Sequence, residues 1–219
     1  MWLSTSHKKN SKKRNRIEEE EDDQQSILPF PLSFPKFSSA NIHSIHNRIY
    51  FNDDITTESI TALNKELRTL DEKMATISNM FRIDPIPIYL HLTTNGGEIY
   101  AAFSAIDCIQ QMKCPLYTVV DGFVASAGTL ISIAGKKRYI LPNAYMLLHE
   151  LRSGFWGKMS DMTEEMENLK KLMDHLIDYY STHTPLSKKT LEKLLTKDSI
   201  WNAKECISRG VVSEVFTNP

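Results

Sequence analysis

Three polar residues, Ser126, His149 and Asp198, each stand at the end of an apolar run. A hydroxyl, an imidazole and a carboxylate are the parts of a nucleophile activated by a base that a third group orients. Ser126 lies within Asp121-Gly122-Phe123-Val124-Ala125-Ser126-Ala127-Gly128-Thr129-Leu130. That stretch reads as the end of a buried strand (Leu116 to Val120), a tight turn of small residues, and an apolar helix from Ala127 to Ala134. A serine there sits beside the unpaired N–H groups of a helix N-terminus, with neighbours too small to block a substrate. Those are the requirements of a nucleophile next to an oxyanion hole. The alternative is that Ser126 only caps the helix. His149 follows the apolar run Tyr145 to Leu148 and precedes Glu150. Taken alone it reads equally as a satisfied core or surface histidine, and the serine and aspartate are what weigh against that.

The chain order Ser, His, Asp is not the order of α/β-hydrolases, and Val124-x-Ser126-x-Gly128 lacks the first glycine of their nucleophile elbow. That fold is disfavoured, although triad chemistry does not depend on order. A second candidate turn is Thr93-Thr94-Asn95-Gly96-Gly97, between a strand at Ile88 to Leu92 and a helix at Glu98 to Met112. Paired glycines allow positive φ and leave N–H groups free to face an anion or a carbonyl oxygen. They fit a plain tight turn as well. A phosphate loop is excluded, because the Lys-Ser/Thr pair and the longer glycine spacing are missing.

These residues must be held by elements the sequence also predicts. Arg48 to Phe51 reads as a first strand. Thr57 to Phe81 carries Ile60, Leu63, Leu67, Leu70, Met74, Ile77 and Phe81 in a 3–4 alternation, so one stripe of a long helix is buried, with Thr57 or Ser59 as its cap. Asp84-Pro85-Ile86-Pro87 stops it. A second long helix, about residues 158–182, has Met159, Met162, Met166, Leu169, Met173, Leu176 and Tyr180 on one face. That methionine-rich stripe is either core or an adaptable subunit interface. Ser187 caps a short helix through Leu195, and Asn202-Ala203-Lys204-Glu205 has the pattern of a capping box. Gly210 ends that helix and Val211-Val212 begins a last strand.

Composition bounds the partners. With 219 residues the chain suits one domain, and a net charge of −1 gives no electrostatic case for nucleic acid or an anionic membrane. No apolar run reaches the length of a membrane span. Three cysteines, Cys108, Cys114 and Cys206, are an odd number, and Cys108 and Cys206 fall on apolar helix faces. Buried reduced thiols are therefore expected, not a disulfide framework or a metal site, and a reducing, cytoplasmic setting fits. Residues 1–40 differ from the rest. Six basic residues in Lys8 to Arg16 are followed by six acidic ones in Glu18 to Asp23 and a Pro- and Ser-rich stretch. With no burial period, residues 1–40 read as a disordered tail ahead of a domain at 41–219.

From about Arg48 to Phe216 the chain resembles the proteolytic subunit of the Clp protease, a self-compartmentalising serine peptidase family with a crotonase-like core. The landmarks appear in order: Asn95-Gly96-Gly97, then Val124-Ala125-Ser126-Ala127-Gly128, then Leu141-Pro142-Asn143 leading to His149, then Lys197-Asp198 ahead of an alanine-glutamate helix ending in Gly210-Val211-Val212. The resemblance implies an α/β fold of repeated ββα units with a projecting handle helix. It also implies Ser126 as nucleophile, His149 as base, Asp198 as orienting partner, and an oxyanion hole from the backbone N–H groups of Gly97 and Ala127. The expected activity is hydrolysis of peptide bonds in unfolded proteins and peptides, with no metal or organic cofactor. The expected assembly is a homo-oligomeric double ring, usually of seven subunits each, served by a separate ring ATPase unfoldase, since no nucleotide-binding motif is present. Thr94-Asn95, Ala127 and Glu150 depart from the residues usual in the family, and the first long helix carries extra residues around Asp71 to Asp84. Two alternatives stay open: a catalytically silent ring subunit, and a crotonase-type enzyme acting on an acyl-coenzyme A.

Overall fold

The computed structural model describes residues 42–217 except Phe155; the tail expected at 1–40 lies outside the described residues. Eight strands form one branched sheet. β1 (Ile42–Ile45) pairs antiparallel with β2 (Arg48–Asn52), and β2, β3 (Ile88–Thr94), β4 (Leu116–Ala125) and β5 (Lys137–Ile140) follow in parallel, with β8 (Glu214–Val215) beyond β5. The chain is a mixed α/β protein, as the alternation of apolar runs and helical stripes requires.

The fork that positions the candidate site lies in β4. Its first half, Tyr117 to Val120, pairs with β5, whereas Phe123 to Ala125 pair with β6 (Tyr145–Leu148). The partner changes at Asp121-Gly122, where Gly122 adopts φ 85° and the register with β3 shifts between Leu92 and Thr94. The sequence predicts that the strand ends at Val120 and that a turn leads to the helix at Ala127. Instead the strand runs on to Ala125, because a glycine inside a strand can bend it toward a new neighbour without ending it. β6 in turn pairs antiparallel with β7 (Ser199–Asn202).

The helices cover the sheet as their stripes dictate. α1 (Thr57–Phe81) buries Ile60, Leu63, Leu67, Leu70 and Met74, and its last turn leaves Met80 and Phe81 exposed. Its cap is Thr56, one residue before Thr57 and three before Ser59, the two expected candidates. Thr56 Oγ1 accepts from the Ser59 N–H while Ser59 Oγ accepts from the Thr56 N–H. α2 (Ile99–Gln110) packs against α1 and α3 (Ala127–Ile133), and all seven residues of α3 are buried. α4 (Met159–His183) has a divided stripe. Leu176, Ile177 and Tyr180 join the core, whereas Met159, Met162 and Met166 are exposed. The first turns of this helix therefore leave their methionine face uncovered. α5 (Lys188–Leu195) is capped by Ser187 and α6 (Ala203–Ser208) by the Asn202–Glu205 box, both as expected. Val211 and Val212 are buried, but the last strand starts only at Glu214. The three cysteines are free and buried. Among the described residues no helix is long and apolar enough to cross a membrane.

Candidate active site

The nucleophile candidate is built from backbone. Ser126 is the single residue between β4 and α3, at φ 54° and ψ −126°. A non-glycine residue at positive φ is strained, and it persists only where its surroundings over-determine it. Here they do. The Ser126 N–H donates to the Leu147 carbonyl at 2.9 Å, which ties the turn to β6. The Ser126 carbonyl accepts from the Thr129 N–H at 2.9 Å and from Thr129 Oγ1 at 2.6 Å. From the other side Gly96 presses on the turn: a Cβ there would lie 2.6 Å from Ser126 Cβ. Its own φ is 97°, so glycine is required both for conformation and for space. Behind the turn, a Cβ on Gly128 would meet Thr94 Cγ2 at 2.3 Å. The expected alternative role for Ser126 is not taken up, since its side chain makes no capping hydrogen bond to α3.

The two proposed oxyanion donors lie in the cavity that Ser126 lines. Ala127 is the first residue of α3, so its N–H has no helical acceptor. Gly97 forms a parallel bridge with Ile55. The Ile55 N–H donates to the Gly96 carbonyl at 2.7 Å and the Glu98 N–H to the Ile55 carbonyl at 2.8 Å. In that pattern Gly97 turns its own N–H away from Ile55. Gly97, Ser126, Ala127 and His149 all line one cavity of about 410 Å³. Its apolar wall includes Leu130, Met173, Leu176, Tyr180 and Leu195. At that wall the Tyr180 hydroxyl bonds Thr129 Oγ1 at 2.5 Å, and burial pushes its pKa up to about 12, so it stays a neutral phenol.

His149 and Asp198 are placed by the β6–β7 ladder. Its register pairs Tyr145 with Asn202 and ends at Leu148 with Ser199, and His149 and Asp198 adjoin that last pair. The side chains have other partners. His149 Nδ1 lies 2.6 Å from the Glu150 carbonyl oxygen. That oxygen only accepts, so Nδ1 carries the proton and a neutral imidazole keeps its lone pair on Nε2, as a base requires. Asp198 is held by Arg152, whose Nη2 lies 3.0 Å from Oδ1 and 2.8 Å from Oδ2. Among the described residues no hydrogen bond joins Ser126 to His149 or His149 to Asp198. Ser126, His149, Gly97 and Ala127 thus share one cavity, whereas Asp198 stands beside it through Arg152, a cavity-lining residue that the sequence reading did not single out. The thiols offer no competing nucleophile. Burial raises Cys114 to about 11 and Cys206 to about 12, and raises Cys108 as well.

The α/β sheet thus places a strained serine between strand and helix, in one cavity with Gly97, Ala127 and His149. The chain belongs to the Clp protease family, whose model matches residues 44–219. It is 30% identical over 131 residues to the ATP-dependent Clp protease proteolytic subunit of Deinococcus radiodurans, covering 59% of this chain and 64% of that one. It is 31% identical over 134 residues to ATP-dependent Clp protease proteolytic subunit 2 of Treponema denticola, covering 60% of this chain and 67% of the relative. The chain therefore spans about two thirds of the length of these curated relatives.

Proposed function

We propose that the chain is a serine endopeptidase subunit that cleaves unfolded polypeptides by a Ser126–His149–Asp198 triad. The observation that carries this reading is the strained Ser126 in a cavity shared with His149 and with the free N–H groups of Gly97 and Ala127. In the reaction, Ser126 Oγ attacks the substrate carbonyl and its proton passes to His149 Nε2. The resulting imidazolium is stabilised by Asp198, and the oxyanion is bound by the two N–H groups. His149 then gives its proton to the leaving amine, and water hydrolyses the acyl-enzyme. Each oxyanion donor is worth about 3–4 kcal/mol in a well-studied protease.

The same reading gives α4 its role. Met159, at 85% exposure, with Met162 and Met166 forms an apolar stripe that the body does not cover. A second copy covers it in this proposal, so that handle helices interlock between two stacked rings of seven subunits. The names of the relatives, proteolytic subunits of an ATP-dependent protease, support a separate ATPase partner, and a cytoplasmic setting fits the buried thiols.

The test is to label the full chain with a fluorophosphonate probe and follow cleavage of a short fluorogenic peptide without ATP. Labelling confined to Ser126 and lost in Ser126→Ala, together with peptide cleavage, is the expected result. Tight coenzyme A binding with no labelling would replace the peptidase by an acyl-coenzyme A enzyme. Ring assembly with no labelling would leave a silent subunit.

A further inference from the structure

We infer that Arg152 is a latch that keeps Asp198 off His149, and that the base is charged for catalysis only when this pair opens; the inference rests on the triad proposed above. Two partners are exchanged relative to a working triad. The β6–β7 ladder ends at the pair Leu148 and Ser199, so His149 and Asp198 each adjoin one member of the same pair. Yet both Asp198 oxygens are taken by Arg152 Nη2, and His149 Nδ1 is on the Glu150 carbonyl. The carbonyl supplies the tautomer but no negative charge, so the imidazolium that forms during attack lacks its counter-ion. Arg152 neutralises the carboxylate of Asp198, the one the proposed triad would use.

The latch is built to open. Arg152 and Asp198 side chains are 60% and 43% exposed, and exposed pairs of this kind are weak and screened by salt. Both His149 and Arg152 lie in the segment between β6 and α4, where Gly154 has no neighbouring atom within 4 Å of a Cβ position. That segment is anchored at one end, where the Glu150 N–H donates to the Leu195 carbonyl at 2.8 Å, and runs at the other into the uncovered half of α4. Among the residues lining the cavity Arg152 is the only lysine or arginine, beside the carboxylates Glu98 and Glu150, so a bound acidic segment also competes for it.

The experiment compares the full-length wild type with Arg152→Gln, Arg152→Lys, Asp198→Asn and Arg152→Gln/Asp198→Asn, by fluorophosphonate labelling of Ser126 and by peptide cleavage from 50 mM to 1 M NaCl. Arg152→Gln is expected to raise the labelling rate and kcat about two- to fivefold with KM little changed, the scale set by an exposed pair. Wild-type rates should rise with salt, as the pair is screened, and this dependence should vanish in Arg152→Gln and survive in Arg152→Lys. A purely structural role for Arg152 would not give a salt response that lysine restores. An Arg152→Gln rate equal to or below wild type, with Asp198→Asn still inactive, overturns the latch and leaves the triad standing. Wild-type labelling by Asp198→Asn and by the double variant overturns the triad itself.

Discussion

The two halves of the candidate site are held by different forces. Around Ser126 the constraints are buried and mostly backbone: a strand partner at Leu147, two bonds from Thr129, and glycine contacts that admit no side chain. Around His149 they are exposed and depend on side chains: one bond to a neighbouring carbonyl and an ion pair open to water. The proposed nucleophile turn and oxyanion donors lie in the buried half, where the backbone is already fixed. The acid–base half can be re-paired by changes worth about 1 kcal/mol, the scale of a surface ion pair. In the proposed enzyme, readiness to react is decided on the exposed side.

The largest effects should come from removing the reacting groups, and their ranking sharpens the contrast. Ser126→Ala and His149→Ala are each expected to lower kcat on a short peptide by about 10⁵ or more, and Asp198→Asn by about 10³–10⁴. The gap is expected because the Glu150 carbonyl keeps Nδ1 protonated when Asp198 is lost. Single-turnover kinetics would check this, and equal losses at all three positions would mean that the carbonyl contact does not persist during turnover.

Next in size is an attack on the buried half. Gly128→Ala places a methyl 2.3 Å from Thr94 Cγ2 and 3.2 Å from Val124 Cγ1. The overpacking should cost about 1–3 kcal/mol in stability by denaturant unfolding. Thr94→Ser removes the clashing methyl yet keeps the hydroxyl that accepts from the Gly96 N–H at 3.1 Å. The double variant should therefore recover more than half of the loss. Additive losses would show that the contact is not what limits Gly128.

The third effect is on assembly. Met162→Glu with Met166→Glu places charge on the uncovered face of α4 and away from the core. The body should keep its stability within about 0.5 kcal/mol, as exposed sites usually do. Sizing should shift from a double ring to smaller species with lower activity. Met173 is the wrong position for this test, because it lines the cavity beside Ser126. A wild type that is monomeric at micromolar concentration would remove the ring from the proposal.

The buried half was also the more legible one. Helix α1 was read with its observed bounds because seven apolar residues recur at helical spacing and a proline pair follows. The two caps of α5 and α6 were legible for local reasons. β1 was missed because Ile42 to Ile45 is an exposed edge strand with no buried alternation. The extension of β4 was missed because Asp-Gly normally marks a turn; only the parallel pairing with β6, a nonlocal contact, makes it strand. The stripe on α4 showed a face but not that its two ends have different fates. Arg152 carried no signal at all, since its meaning depends on a carboxylate 46 residues away.

The smallest effect concerns pH and separates the halves once more. Cys206 is fully buried, its Sγ donating to the Trp201 carbonyl, and burial raises its pKa from 9.0 to about 12. Cys114 is raised to about 11 by burial and by Asp71. A thiol whose folded pKa is raised binds more protons folded than unfolded once the pH passes 9. Its contribution to stability is therefore fully present below pH 9 and falls as pH climbs toward the folded value. Each such thiol can remove up to about 1.4 kcal/mol per pH unit in that window. Cys206→Ala should lower stability at pH 7.5 by a constant packing term and flatten the loss between pH 9 and 11, as read by denaturant unfolding at fixed ionic strength. The same substitution should leave the salt response attributed to Arg152 unchanged, because the thiol lies in the core and the ion pair in solvent. An unaltered alkaline slope in Cys206→Ala would show that another buried acid dominates; Tyr180, raised to about 12, would then be next to replace.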